Sequence, residues 1–180
     1  MTALKTFIAR FLHDQRGVSA IEFALLAPVM ITLYFASSEF CQAFMVQRRV
    51  DHATSQIADI TSQDAVVTRD ELDDTFAIAP LIMSPFPTAP MKVRLSGVTR
   101  DSNGVAKIDW SRGSGLSARS AGSEVTIPAG MIANGESVVL SESAYDYVSP
   151  LGYMLPDLVR FRRTLYLRPR LEDKVICSDC

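Results

Sequence analysis

The chain has 180 residues, 48% of them apolar and 21% charged, with 18 Lys and Arg against 20 Asp and Glu. That length fits one domain, or one domain and an extra element, and is short for a multidomain enzyme. The ordinary composition and formal charge of −2 argue against wholesale disorder and against a strongly basic nucleic-acid binder.

The apolar residues are unevenly placed. Residues 1–17 read as a basic cytoplasmic leader, with Lys5, Arg10 and Arg16 against Asp14. Residues 23–38, FALLAPVMITLYFASS, carry no charge. About 20 apolar residues in a helix cross a hydrocarbon core of roughly 30 Å, so residues 18–40 read as a transmembrane helix. A buried core helix is the alternative, because the uninterrupted apolar stretch is short. A cleaved secretory signal is disfavoured: Ala36-Ser37-Ser38 offers small residues, but apolar character resumes at Phe40, Phe44 and Met45. The basic leader places the N-terminus in the cytoplasm. Arg48 and Arg49 weaken that asymmetry, and Glu39, Asp51 and Asp59 partly offset them.

Two residues at the head of the span carry chemistry. Gly17 permits extended or turned backbone at a peptidase site. Glu22 is an ionisable group about one turn into the span, where lipid makes it costly without a partner. It either snorkels to the interface or pairs with the amino terminus of a neighbouring subunit. Pro28 removes one backbone bond and is expected to kink the helix.

Residues 41–63 read as an extracytoplasmic continuation of the same helix. Cys41, Phe44, Met45, Ala53, Ile57, Ala58 and Ile60 recur at helical offsets, with Arg48, Arg49 and Asp51 on the wetter side. Cys41 reads as a packing residue and His52 as part of a solvated face. Residues 64–90 read as a helical segment and Pro-rich linker. The segment opens on Thr68-Arg69-Asp70-Glu71, whose acids suit a helix N-terminus. It closes on SPFPTAP. Asp64, Asp70, Asp73 and Asp74 do not follow a calcium-loop spacing, and no metal site is expected.

Residues 91–180 read as an antiparallel sheet domain of four or five strands. Residues 91–100 and 105–111 flank Asp101-Ser102-Asn103-Gly104, a strong hairpin signal. Ala106, Ile108 and Trp110 share one face. Residues 112–123 read as a loop and 124–127 as a short edge strand. Residues 136–147 and 161–167 complete the sheet. Tyr145 and Tyr147 share a strand face, where they either dock a partner or pack over the sheet. Cys177 and Cys180 form a terminal CxxC. A disulfide, free thiols and a metal pair all stand open, although no second pair or nearby His completes a zinc site. The fold class is α+β, a long N-terminal transmembrane helix followed by a small antiparallel sheet domain.

The string RGVSAIEFALLAPV, from Arg16 to Val29, resembles the start of TadE-like and TadG-like pilus assembly proteins. These are pseudopilins of the tight-adherence, Flp-type pilus system. Trp110-Ser111, residues 142–150 and Tyr166-Leu167-Arg168-Pro169-Arg170 resemble their extracytoplasmic region. The resemblance implies a pilin-type helix, cut by a prepilin peptidase between Gly17 and Val18, with Glu22 as the fifth mature residue. It implies a single-pass protein of the bacterial inner membrane with a periplasmic C-terminal domain, at the pilus base or in the pilus. Its partners would be other pseudopilins or inner-membrane pilus assembly proteins, in a hetero-oligomer and without nucleic acid. No cofactor is expected. No nucleophile–base–acid set stands out, so catalysis is not expected either. The alternative is an unprocessed, membrane-tethered periplasmic binding or scaffold domain.

Overall fold

The computed structural model describes residues 17–152, 155 and 158–180. The leader before Gly17 lies outside the described residues. Val18–Ser62 forms one 45-residue helix, α1, as expected of a segment with no internal glycine and a single proline, Pro28. Pro28 has no amide to donate to Ala24, yet the helix runs through it, and the Thr32 hydroxyl donates to the Pro28 carbonyl at 2.8 Å. No break occurs near Glu39–Gln42.

The two halves of α1 meet different surroundings. Between Val18 and Phe35 large apolar side chains are exposed on every side, Phe23 at 73% and Tyr34 at 70%. From Glu39 onward one stripe is buried: Glu39, Ala43, Val46, Val50, Ala53, Thr54, Ile57, Ala58 and Thr61. The spacing of three and four keeps these residues on one face. It corrects the expected stripe, because Cys41, Phe44 and Met45 point away from the sheet and are exposed. Small and β-branched residues occupy the contact instead, and they let the sheet approach the helix closely.

Val66–Val67 (β1) follows α1. Arg69–Phe76 (α2) then starts on Thr68, whose side chain accepts from the Glu71 amide while the Glu71 carboxylate accepts from the Thr68 amide. This reciprocal cap, with Asp70 and Glu71 in the first turn, sets the helix start. Ile78–Met83 (α3) tolerates Pro80 in its first turn and ends before Pro85.

The main sheet comprises Met91–Arg100 (β2), Ala106–Ser114 (β3), Ser137–Tyr147 (β4) and Val159–Leu167 (β5), in the order β3-β2-β4-β5, all antiparallel. The hairpin turn falls where Asn103-Gly104 placed it. Asp101 Oδ1 accepts from the amides of Asn103 and Val105, and Gly104 takes a φ of 83° that other residues resist. The expected 124–127 strand is reduced to one bridge, Lys107 to Glu124. The expected loop from 112 gives way to a longer β3 that runs through Ser114. Ile176–Cys177 (β6) pairs in parallel with β1, a two-stranded element the sequence did not signal.

Helices and sheet share one core. Ala53 and Ile57 of α1 pack with Leu72 and Phe76 of α2, Ala79 of α3, and Val93, Leu95, Trp110 and Val139 of the sheet. A second cluster joins Ala43, Val46 and Val50 to Met83, Tyr145 and Tyr147. The linker is part of this packing, since Phe86 lies against the second cluster.

Candidate functional site

Gly17 stands at the N-cap of α1 with φ −86° and ψ −10°, an ordinary conformation for any residue. Among the described residues, a Cβ built there would meet nothing within 4 Å. Within the chain, its one local role is as a fair N-cap residue. Val18 follows, 49% exposed, and opens the helix. Glu22 is four residues further, on the same helix face and about 6 Å along the axis. It too is exposed, among exposed Ile21, Phe23, Leu25 and Leu26. An apolar surface this continuous is covered by lipid or by other helices. An 18-residue apolar window of α1 has 0% of its residues buried, which separates it from a core helix. Such a helix anchors the chain to a membrane.

The other candidate residues sit elsewhere. Tyr145 and Tyr147 face α1 and are 2% and 4% exposed. They pack over the sheet, so neither presents a free surface to a partner. The Tyr145 hydroxyl donates to the Pro87 carbonyl at 2.8 Å. Burial pushes the Tyr147 phenol above its usual range, with Ser149 opposing the shift and the Glu39 carboxylate adding to it. Cys177 and Cys180 are disulfide-bonded, with Cα atoms 5.6 Å apart. Asp179 lies beside the two sulfurs, but those sulfurs are bonded to each other and are not free thiolate ligands. His52 is on an exposed face.

Three features escaped the sequence reading. Glu39 is fully buried where α1 first meets the sheet domain. Its spacing with Ala43, Val46 and Val50 was the available signal. Thr54 is also fully buried, and its hydroxyl lies 2.5 Å from that of Ser143. The third is an ionic cluster on the sheet face opposite α1. Glu142 takes Arg94 at 2.6 Å and Arg119 at 2.9 Å. Burial alone would raise the Glu142 carboxyl, but hydrogen bonds from Arg119 and Arg94 outweigh it and lower it. Asp146 accepts from Arg160 and Lys92, which hold its carboxyl down at about 2. The Arg94, Lys92 and Arg160 pairs link neighbouring strands across the sheet, and Arg119 ties the connection after β3 to β4.

The region with Gly17, Val18 and Glu22 at its head can be compared with known proteins. Residues 17–59 match the TadE-like protein family. The TadE-like segment begins at Gly17 and ends three residues short of the end of α1. It therefore covers the exposed apolar half and most of the packed half, and none of the sheet. The match agrees with the resemblance carried by RGVSAIEFALLAPV. The later strings at Trp110-Ser111, 142–150 and 166–170 lie outside it. No curated protein and no solved structure gives a significant match.

Proposed function

We propose that the chain is a minor pseudopilin-like subunit needed to assemble a tight-adherence, Flp-type pilus. It acts by subunit contacts rather than by catalysis. In this reading α1 holds it in the bacterial inner membrane, with the N-terminus cytoplasmic and the sheet domain periplasmic. The supporting observation is that the TadE-like match begins on Gly17, in open space at the head of an apolar helix that carries Glu22 on an exposed face.

Prepilin peptidase would cut the Gly17–Val18 bond, which stands clear of the packed domain. The new ammonium at Val18 and the Glu22 carboxylate are then about one turn apart on the same helix face. In lipid, each charge is costly alone. An ammonium from one subunit against the carboxylate of another removes both costs and fixes their relative height. Other pseudopilins or inner-membrane assembly proteins are the expected partners, in a hetero-oligomer.

N-terminal sequencing of membrane-extracted protein tests the processing step, with a start at Val18 expected and a start at Met1 counting against it. Glu22→Gln tests the pairing, since it keeps shape and removes charge. Loss of partner subunits on co-purification is expected. An unprocessed chain whose Glu22→Gln variant recovers the same partners would instead fit a membrane-tethered scaffold.

A further inference from the structure

The sheet has a membrane-facing end. Strand β4 runs antiparallel to α1: Val139 packs near Ile57, Ser143 touches Thr54, and Tyr145 and Tyr147 join Ala43, Val46 and Val50. Strand β5 leaves that same end, with Val159 opposite Tyr147.

Its height follows from strand and helix geometry. Val148 stands about 17 Å beyond Ser143 at roughly 3.3 Å per residue. On α1 that distance is about eleven residues at 1.5 Å each, from Thr54 back to the level of Ala43. Residue 43 lies about 6 Å past Glu39, where the apolar span ends. The headgroup layer on each side of a bilayer is roughly 5–7 Å deep, so the two levels coincide.

The residues at that end suit such a layer. Val148 is 63% exposed and Leu158 52%, just beyond the paired ends of β4 and β5. Phe40, Phe44 and Met45 are exposed at the same level on α1. Arg160 on β5 stands two residues beyond Leu158, about 7 Å further from the membrane, where it pairs with Asp146, whereas Lys92 and Arg162, both opposite Ala144, stand about 13 Å beyond Val148 and outside that layer. Long basic side chains beside an apolar tip reach headgroups while their stems lie along apolar surface.

We propose that this end of the sheet is a second membrane contact: Val148 and Leu158 enter the headgroup layer of the bilayer that α1 spans, and Arg160, the nearest cation, reaches its anionic headgroups. The contact rests on membrane anchoring by α1, and it does not depend on processing or on a filament.

The test uses the full chain in nanodiscs of equal parts phosphatidylcholine and phosphatidylglycerol. Cys41→Ser removes the free thiol and leaves the Cys177–Cys180 disulfide closed. Nitroxide labels are placed singly through Leu158→Cys, Leu26→Cys within the span, and Leu171→Cys at the far end of the domain. Collision with oxygen reports immersion, and collision with a water-soluble nickel chelate reports exposure. Leu158→Cys is expected to fall between Leu26→Cys and Leu171→Cys, with nickel accessibility several-fold below that at Leu171→Cys. Nickel accessibility at 158 equal to that at 171, with 26 still immersed, overturns the contact and leaves the anchor. Water exposure at 26 removes the anchor and the contact together. Arg160→Glu should raise nickel accessibility at 158 several-fold while Trp110 emission stays unchanged. Unaltered accessibility in that variant refutes the headgroup-binding part.

Discussion

Replacing Gly97 by alanine tests how closely the sheet core is built. Gly97 pairs with Trp110 across β2 and β3, beside the register shift between Gly97 and Val98. A Cβ at 97 would lie 2.3 Å from Trp110 Nε1, 2.7 Å from Cε2 and 2.8 Å from Cδ1. Ordinary carbon contacts begin near 3.5 Å, so the indole has to move by about 1 Å. Its Nε1 donates to the Val175 carbonyl at 2.8 Å, and moving the ring breaks that buried bond. Losing the bond costs about 1–3 kcal/mol and overpacking about 1–3 kcal/mol more. The lower backbone entropy of alanine offsets about 0.5–1 kcal/mol. A net loss of about 2–5 kcal/mol lowers Tm by roughly 6–15 °C. Trp110 is the single tryptophan, so its fluorescence reports both the ring's surroundings and the unfolding of the detergent-solubilised chain. Trp110→Phe removes the pyrrole atoms that Cβ would strike. The double variant should therefore lose less than the sum of the single losses. A Gly97→Ala midpoint within a degree or two of the parent, with unshifted emission, would refute the packing argument.

Other expectations follow from the buried and ionic contacts. Thr54→Val leaves the buried Ser143 hydroxyl without its 2.5 Å neighbour and should cost about 1–3 kcal/mol in denaturant unfolding; a neutral result would show that Ser143 finds another partner. Glu142→Gln leaves Arg94 and Arg119 without their shared charge and should cost about 1–2 kcal/mol, with a smaller loss at high salt. The Asp146 carboxyl should titrate by NMR near 2 rather than near the usual carboxylate value, because Arg160 and Lys92 favour its charged form. Since its folded value is depressed, its contribution to stability is complete above the usual value and is lost as pH falls towards about 2. A midpoint near 4 would count against the ion triad. Tyr145→Phe removes one bond to the Pro87 carbonyl and should cost about 1 kcal/mol, read from the thermal midpoint.

The parts of the fold governed by local rules were legible in the sequence. The uncharged run and the absence of glycine specify α1. Thr68 and Glu71 specify the start of α2, and Asp101 and Gly104 specify the hairpin turn. What was not legible depends on distant partners. Apolarity alone selected Cys41, Phe44 and Met45 for the packed stripe, yet they face outward near the membrane, where apolar exposure is not penalised. Thr54 and Glu39 took core positions because each lies in register with Ala43, Val46 and Val50, a spacing that outweighs polarity when the sheet supplies surroundings. The β1–β6 pair brings together segments over 100 residues apart, with only two residues in each strand. Nothing so short signals its partner. At the candidate site, Gly17, Val18 and Glu22 are singled out by a local string. The buried setting of Tyr145 and Tyr147 needed the helix that covers them.

The unbroken passage of α1 from the apolar half into the domain makes it a lever. No flexible joint separates the end that meets lipid from the end that carries the sheet. The part beyond Glu39 extends about 35 Å. A 20° change of tilt, ordinary for a membrane helix, would swing its far end by about 12 Å. Rotation about the helix axis would likewise turn the sheet through the same angle, because Ala43, Val46, Val50, Ala53 and Ile57 key the two together. A neighbour that presses on residues 18–38 within the bilayer therefore aims the whole domain from below.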